Sequence, residues 1–373
     1  MDFTPSEEEA AIEEITKQIL DDRATHERLR QLDNDGVAID TEIWALLADA
    51  GVVGASLPTS HGGAGLGFMA TAVALEQVGA HAAPIPLLST VVLAGMPIAQ
   101  FGTDAQRDAW LPGLADGSVI GTAALTEAGT TAQHPTTEAT PTADGFVLHG
   151  VKTLVPDGTE ADVILVPARL GDGTVAVFVV TADSAGMVRH RVDTTTGRPE
   201  ARIVLDGVAV TDDDRLGGPG SDGDRIIDWL QQRANAGLCM VMTGAAQASI
   251  ELAADYTKQR QQFDRPIATF QAVTQRAGDS FIDTEGIRLT ALQAAWRLDA
   301  GLPAAREVQI ARYWAAEAGY RVVHAAVHVH GGVGVDRDYP LHRHFLLARQ
   351  LELTLGNSEE HLSALGAAIA AHA

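Results

Sequence analysis

The spacing of apolar residues divides the chain into three stretches. Apolar positions recur every three to four residues up to about residue 119, fall into short β-branched runs up to about 217, and return to helical spacing afterwards. A period near 3.6 predicts helices, and a period near two or a short apolar run predicts strands. The pattern therefore predicts an α+β multidomain chain with a helical domain at 1–119, a β-domain at 120–217 and a second helical domain at 218–373.

The helical stretches carry residues that typically start and stop helices. Thr4 or Ser6 is suited to cap a first helix over 4–33, and Gly51 is suited to end a second helix over 41–50. Further helices are predicted over residues 68–79, 224–260, 269–299, 303–330 and 358–371.

The middle stretch has the composition of short strands. Its β-branched runs lie at residues 163–166, 175–180 and 203–205. Asp144-Gly145, Gly171-Asp172-Gly173 and Asp206-Gly207 separate them and are predicted to be hairpin turns. Several short strands joined by tight turns indicate an antiparallel sandwich or barrel.

Composition narrows the function classes. With 49 acidic and 26 basic residues, the chain has a formal charge of -23, which disfavours nucleic acid and anionic membranes as partners. The acidic N-terminus lacks the basic start and apolar run of a signal peptide, so a cytoplasmic location is expected. The single cysteine, Cys239, excludes a disulfide framework and lies in an apolar stretch, where buried packing is favoured over a nucleophilic role.

Two further patterns have a plain structural explanation. The glycines at 63–67 resemble a dinucleotide-binding loop, but they follow helical rather than strand periodicity, so a helix–helix connection is favoured. His324 and His328 share a helical face that two metal ligands could use. Without a nearby carboxylate motif, packed or surface histidines are the better interpretation, and no metal site is predicted.

Two segments have chemistry suited to a diphosphate. Residues 260–271 join two long helices and contain an arginine, an aromatic ring and an amide. At His330-Gly331-Gly332, a helix ends in glycines whose backbone a ligand can approach closely. An arginine fork together with exposed backbone amides is what a diphosphate requires. Ordinary helix-hairpin loops with glycine caps remain an alternative for either segment alone.

Together, and in this order on an α–β–α chain, these segments resemble the acyl-CoA dehydrogenase family. The resemblance covers nearly all of the sequence and includes the glycine-rich turn at 62–66, Leu125-Thr126-Glu127 at the start of the β-domain, and Gly356-Asn357-Ser358 near the C-terminus. It implies an N-terminal helical domain, a middle antiparallel β-domain and a C-terminal four-helix bundle.

The resemblance also implies a cofactor and a reaction. In that family the FAD isoalloxazine lies against one subunit's β-domain, while the ADP half reaches the neighbouring subunit. The residues implied to contact FAD are Arg260, Phe263, Gln271, His328, Gly331 and Gly332. The implied reaction is α,β-dehydrogenation of an acyl-CoA, in which a carboxylate takes the α-proton and the flavin accepts the β-hydride. An electron-transfer flavoprotein is the expected electron acceptor.

This sequence departs from the family at the groups that perform the chemistry. Leu355 stands where the family usually has its glutamate base, and Ala234 stands at the alternative base position, so no catalytic residue is predicted. In the β-domain, Leu154 and Pro156 replace the tryptophan and threonine that hold the flavin ring. Asp264 replaces a common glycine in the segment at 260–271.

Keeping one half of a flavin site and losing the other is typical of a subunit that works with a partner. The chain resembles the non-catalytic subunit of actinobacterial α2β2 heterotetrameric acyl-CoA dehydrogenases that act on steroid side-chain CoA thioesters. A homologous catalytic subunit is then the expected partner, with FAD shared across the interface. Two alternatives stay open: a self-sufficient homotetramer with Glu359 or Glu360 as base, and a flavin-free scaffold for a catalytic partner.

Overall fold

The structure is a computed structural model and describes residues 3–370. Its helices are α1 (Glu7–Arg23), α2 (His26–Asp35), α3 (Thr41–Asp49), α4 (Phe68–His81), α5 (Met96–Phe101), α6 (Asp104–Ala115), α7 (Gly223–Gln259), α8 (Gln271–Asp299), α9 (Ala305–His330), α10 (Leu341–Leu353) and α11 (Ser358–Ala370). A π-helical segment, Leu88–Gly95, leads directly into α5. The strands are β1 (Gly121–Ala123), β2 (Glu138–Thr142), β3 (Gly145–Pro156), β4 (Val163–Leu170), β5 (Val175–Thr181), β6 (Met187–Asp193), β7 (Pro199–Val210), β8 (Gln261–Gln262) and β9 (Arg265–Pro266).

Side-chain caps determine where the first helices begin. The Ser6 hydroxyl accepts the backbone N–H of Glu9 at 3.2 Å, and the Glu9 carboxylate accepts the N–H of Ser6 at 2.7 Å, which forms a capping box. The prediction of one helix over residues 4–33 is wrong. Helix α1 ends at Arg23. Thr25 then caps a separate helix, α2, by accepting the N–H of Arg28. The last residue of the helix predicted over 358–371 lies outside the described residues.

The middle of the chain forms one mixed sheet in the order β1-β4-β2-β3-β7-β6, with β5 paired to β4. The β2/β3, β3/β7, β6/β7 and β4/β5 pairs are antiparallel, as predicted. The β1/β4 pair and the two-residue β2/β4 pair are parallel. Parallel neighbours need a long connection, and the β2–β3 hairpin lies within the connection between β1 and β4.

One of the predicted hairpin turns, Asp206-Gly207, is wrong. Asp144-Gly145 and Gly171-Asp172-Gly173 do connect strands, but Asp206-Gly207 lies inside β7. There Asp206 pairs with His149 and Val208 pairs with Leu148, so that Gly207 is an extra, unpaired residue with a φ of 81°. The dipeptide therefore forms a β-bulge, a role that favours glycine because of the positive φ.

The described chain folds as two compact units. One contains residues 38–67 and 85–234, and its core is the apolar face of the sheet. The other contains the residues up to 37, residues 68–84 and the residues from 235 onward. The domain boundaries at 119/120 and 217/218 stay predictions.

The helical unit is organised around α9, which packs against α8, α10 and α11. Its helices α4 and α7 approach very closely. A Cβ atom built on Gly79 would lie 1.9 Å from the carbonyl oxygen of Val241, and one built on Gly244 would lie 1.9 Å from that of Glu76. Any larger residue at either glycine would force the two helices apart.

Candidate functional site

The first candidate segment is a two-stranded hairpin between α7 and α8. β8 and β9 pair through Gln262 and Arg265, which leaves Phe263 and Asp264 at the tip with φ values of 54° and 63°. Two positive φ values in a two-residue loop define a type I′ turn, for which Asn-Gly is the favoured pair. The Phe263 ring is 86% exposed, and its centroid lies 6.2 Å from that of Phe270. The hairpin thus presents an aromatic ring to the surroundings instead of burying it.

The second candidate segment is the glycine turn that follows α9. Gly331 has φ 64° and ψ -140°, a backbone conformation that favours glycine. A Cβ atom built on Gly331 or on Gly332 would meet no atom within 4 Å. The backbone at these two residues is therefore open to a ligand or to another chain.

An aromatic stack brings the two segments together. Tyr256 lies one turn before Arg260, and its ring stacks on His330 with the centroids 4.3 Å apart. His330 directly precedes Gly331, is 4% exposed, and its Nε2 lies 3.1 Å from the hydroxyl of Tyr339. Burial lowers the pKa of His330, which favours the neutral ring in this stack. Tyr256 and His330 were not predicted as supporting residues, since only their spacing from Arg260 and Gly331 hints at this role.

The six predicted FAD contacts all lie on these two segments or beside them. Arg260 and Gln271 flank the hairpin and are exposed, and His328 is exposed in the last turn of α9. A guanidinium fork, an exposed aromatic ring and an open glycine backbone fit the ADP half of FAD. Their role as cofactor contacts stays a prediction.

The turn between α10 and α11 contains Leu355, the residue at the family's usual base position. Leu355 has a φ of 57°, which is uncommon for a residue with a side chain. The turn is held by Arg312, whose fully buried guanidinium donates to the carbonyl oxygens of Leu351, Thr354 and Gly356 at 2.6 to 3.3 Å. A hydrocarbon side chain cannot accept a proton, and so this turn offers no base at its central position.

The partners of Arg312 are all uncharged. Its Nε donates to Nε2 of His361 at 3.2 Å, while Nδ1 of that ring lies 2.7 Å from the amide oxygen of Gln309. Burial and the neighbouring guanidinium lower the pKa of His361 to about 4, so the ring is neutral. Cys239 also contacts Arg312, and burial raises the pKa of this thiol to about 11. The thiol is therefore protonated and unsuited to nucleophilic attack.

The remaining candidate bases are also unsuited. Ala234 is fully buried and has no ionisable group. Glu360 accepts the backbone N–H of Asn357 at 2.9 Å, while the Asn357 side chain accepts the N–H groups of Glu359 and Glu360. This reciprocal capping holds the Glu360 carboxylate at the start of α11. Glu359 is exposed in the same first turn.

In the β-domain, a buried ion pair joins the segment after β1 to β3, the strand that contains the positions implied to hold the flavin ring. Glu127 is buried and accepts hydrogen bonds from Thr136, Thr137 and the Lys152 ammonium, the last at 2.5 Å. Burial by itself raises the pKa of Glu127, but the Lys152 charge and these hydrogen bonds outweigh it and lower the pKa to about 2. The pair holds the segment after Glu127 against β3.

Leu154 and Pro156, on β3, occupy the positions where the family resemblance implies a tryptophan and a threonine. Leu154 lies at a bulge of β3 with a φ of 49° and is 51% exposed. Pro156 has no N–H group, and its carbonyl accepts the hydroxyl of Thr122 at 2.7 Å. The residues of this wall therefore do not fit a flavin ring that needs an aromatic neighbour and a hydroxyl donor.

Within residues 3–370, no group of three or more histidine, cysteine, aspartate or glutamate side chains is placed to hold a metal ion. Nδ1 of His324 instead lies 2.9 Å from the carbonyl of Tyr320. Among the described helices, only α7 is long and apolar enough to cross a membrane, and most of its apolar window is buried, as in a core helix.

Comparison with known proteins identifies related chains. Family models of the acyl-CoA dehydrogenases match the chain at residues 6–118 for the N-terminal domain, 122–208 for the middle domain and 223–370 for the C-terminal domain. The acyl-CoA dehydrogenase FadE27 of Mycobacterium tuberculosis is 38% identical over 378 residues, covering 99% of both chains.

Solved structures give the same family. A chain of the ChsE4-ChsE5 complex from Mycobacterium tuberculosis matches with a TM-score of 0.93 and 38% identity, and 99% of each chain is covered. A variant of the Tcur3481-Tcur3483 steroid ACAD (acyl-CoA dehydrogenase) matches with a TM-score of 0.91 and 40% identity over 98% of each chain.

Proposed function

The chain belongs to the acyl-CoA dehydrogenase family, and we propose that it is the subunit of a heteromeric, FAD-dependent member that contributes cofactor contacts but no catalytic base. The observation that carries this proposal is an asymmetry between two sets of residues. The hairpin with Arg260 and Phe263 and the open turn at Gly331 suit the ADP half of FAD. The two base positions hold Leu355 and the buried Ala234.

A homologous catalytic subunit is the partner that this asymmetry requires. In a homotetramer every active site needs both halves from identical chains, and here one half is unsuited to the flavin ring. A partner chain would supply the ring-binding wall and the base, while this chain would supply Arg260, Phe263 and Gln271 to the partner's FAD. The match to chains of two heteromeric assemblies supports this arrangement.

The proposed substrate is the CoA thioester of a steroid side chain. This assignment is supported by the similarity to a steroid ACAD. When bound, FAD supplies the hydride acceptor of the reaction, and electrons would then leave through an electron-transfer flavoprotein. A cytoplasmic location is part of the same proposal.

The first experiment compares the chain purified alone with the chain co-purified with a homologous catalytic subunit. We expect the lone chain to be colourless and the complex to be yellow from FAD, and we expect only the complex to bleach with a steroid side-chain CoA thioester. Butyryl-CoA serves as the comparison substrate. A lone chain that is yellow and is reduced by an acyl-CoA would establish the self-sufficient alternative instead.

The second experiment tests the FAD arm within the complex. Arg260→Ala should lower the FAD content per complex, because it removes the guanidinium fork from the diphosphate. Arg202→Ala, an exposed arginine on β7, is the matched control and should leave the FAD content unchanged. Equal FAD content in both variants would favour the flavin-free scaffold.

The third experiment introduces the missing base. Leu355→Glu is the cleaner variant, because Leu355 already tolerates its positive φ, whereas glutamate at Ala234 would bury a charge. We expect the lone Leu355→Glu chain to stay inactive, since its own β-domain does not suit the flavin ring. Activity in that variant would refute the proposed loss of this half-site.

A further inference from the structure

A small polar cavity lies between α2 and the start of α10, within the helical unit. It has a volume of about 250 Å³ and is lined by Arg30, Asp33, Asn34, Arg337, Asp338 and Arg343. Arg30, Asp33 and Asn34 share one face of α2, because they are three and four residues apart. Pockets for cofactors and drug-sized ligands are larger, at about 300–1,000 Å³, so this cavity suits a small ion.

Two ion pairs cross the cavity. Nη1 of Arg30 lies 2.8 Å from Oδ1 of Asp338, and Nη1 of Arg343 lies 2.7 Å from Oδ2 of Asp33. Arg337 is exposed and forms no ion pair within residues 3–370. Three arginines against two aspartates give the lining a net charge of +1, although the whole chain has a formal charge of -23.

Arg343 adds a buried donor without an acceptor. Its side chain is 13% exposed, and its Nε is buried without a hydrogen-bond partner in the described part of the chain. A buried polar group normally has a partner, and leaving one unpaired is costly. Arg343, which lines the cavity, thus has an unpaired N–H group, and Arg337 adds a guanidinium that makes no ion pair among the described residues.

The histidine beside the cavity responds to the same positive charge. Burial lowers the pKa of His342, and the charges of Arg343, His26 and Arg337 lower it further. His26 is the first residue of α2, and its ring centroid lies 6.2 Å from that of His342. A neutral His342 ring leaves the guanidinium groups as the charged donors beside the cavity.

We propose that this cavity binds a phosphate-sized oxyanion, held by Arg337 and Arg343 with Arg30 at its rim. Guanidinium groups suit this ligand because their N–H groups match the oxygens of a tetrahedral anion. The ligand is either inorganic phosphate or the phosphoryl group of a small phosphate monoester. The site lies within this chain and does not depend on the function proposed above.

Titration calorimetry on the full chain tests the site directly. Sodium phosphate is titrated at pH 7.5 and compared with sodium chloride at equal ionic strength, and glycerol phosphate is titrated in parallel. We expect saturable binding of phosphate and none of chloride. Glycerol phosphate binding as tightly as phosphate would identify a monoester as the ligand, and weaker binding would identify the free ion.

Two variants that change charge in opposite directions separate binding from structure. Arg337→Gln should weaken phosphate binding about tenfold, because it removes a charge-assisted donor that makes no ion pair in the fold. Asp338→Asn should tighten binding, because it removes a repelling carboxylate and releases Arg30. Arg202→Gln on β7 is the control and should leave the affinity unchanged.

Three results would overturn the proposal. Phosphate that binds no better than chloride would leave only a structural ion-pair network. Unchanged affinity in Arg337→Gln would place the binding elsewhere, and so would an equal loss of affinity in Arg202→Gln.

Discussion

Arg312 is a fully buried cation that has no carboxylate partner among the described residues. Its guanidinium instead satisfies backbone carbonyl groups at the end of α10 and in the following turn. We expect Arg312→Met to lower the stability by about 3 kcal/mol or more, because these carbonyls would be buried without donors. For a chain of 373 residues that unfolds as one unit, the melting temperature should fall by about 4 °C or more.

Two further variants make this residue-scale prediction specific. Arg312→Lys keeps the charge but cannot reach several acceptors at once, so its melting temperature should lie between those of the wild type and Arg312→Met. Arg202→Met, at an exposed position, should change the stability by less than about 0.5 kcal/mol. A melting temperature unchanged in Arg312→Met would mean that water or a rearranged turn replaces the guanidinium.

Single residues were predictable from the sequence only where their partners are close in the chain. Ser6 is a possible cap by residue type, and the partner that the structure gives it, Glu9, is only three residues away. The role of Arg312 could not be predicted, because backbone carbonyls some 40 residues away leave no pattern in the sequence. Only the family resemblance indicates that Leu355 stands at the position of the base, and only the structure shows its positive φ.

At the scale of elements, the β8–β9 hairpin has an exposed tip that lies outside the core. Its two tip residues, Phe263 and Asp264, both have positive φ values. Phe263→Asn places a residue that tolerates a positive φ at the first turn position, and it removes a ring that is 86% exposed. We expect a melting temperature equal to or slightly above that of the wild type. If the hairpin contacts the partner's FAD, the same variant should lower the FAD content of the complex.

Phe270→Asn is the contrasting variant for this element. Phe270 is half-buried, and Cζ of Arg265 lies over its ring, 4.2 Å from the Phe270 ring centroid. Its replacement should lower the melting temperature, because it removes packing as well as a cation–π contact. Equal stability losses in both variants would show that Phe263 also supports the fold.

Elements were predictable where the apolar periodicity extends over many residues and their ends carry residues that typically start or stop helices. The long helices α7, α8 and α9 were predicted to within two residues of their observed ends. α10 was missed, because Leu341–Leu353 interrupts its apolar positions with histidines and arginines and has no capping side chain. The parallel pairing of β1 with β4 was also missed, since periodicity gives strands but not their neighbours.

At the scale of the whole molecule, buried titratable groups couple the stability to pH in two directions. Burial lowers the pKa of His344 to about 4, and His361 has a pKa near the same value. Because the unfolded chain binds these protons near pH 6.5, their contribution is complete above pH 6.5 and is lost as the pH falls towards 4. For His344 the full loss is about 3 kcal/mol.

A partly buried carboxyl group acts in the opposite direction. Burial, reinforced by the charge of Glu13, raises the pKa of Glu76 to about 7. Its contribution is therefore complete below about pH 4.5 and is lost as the pH rises through 7. Between pH 4.5 and 6.5 the two histidines release more protons on folding than Glu76 takes up. Proton release and uptake balance near pH 7, so we expect the stability to rise up to about pH 7 and to level off above it.

Urea denaturation midpoints measured between pH 4.5 and 8 check this profile, and variants assign its acid limb to individual residues. His344→Gln should flatten the acid limb, because it removes one group that must lose its proton on folding. Glu76→Gln should steepen the acid limb between pH 5 and 7, since it removes the group whose proton uptake on folding opposes the proton release by the histidines. His190→Gln, at an exposed position on β6, should leave the shape of the profile unchanged. A profile of unchanged shape in both His344→Gln and Glu76→Gln would assign the pH dependence to the overall charge of -23 instead of to these buried groups.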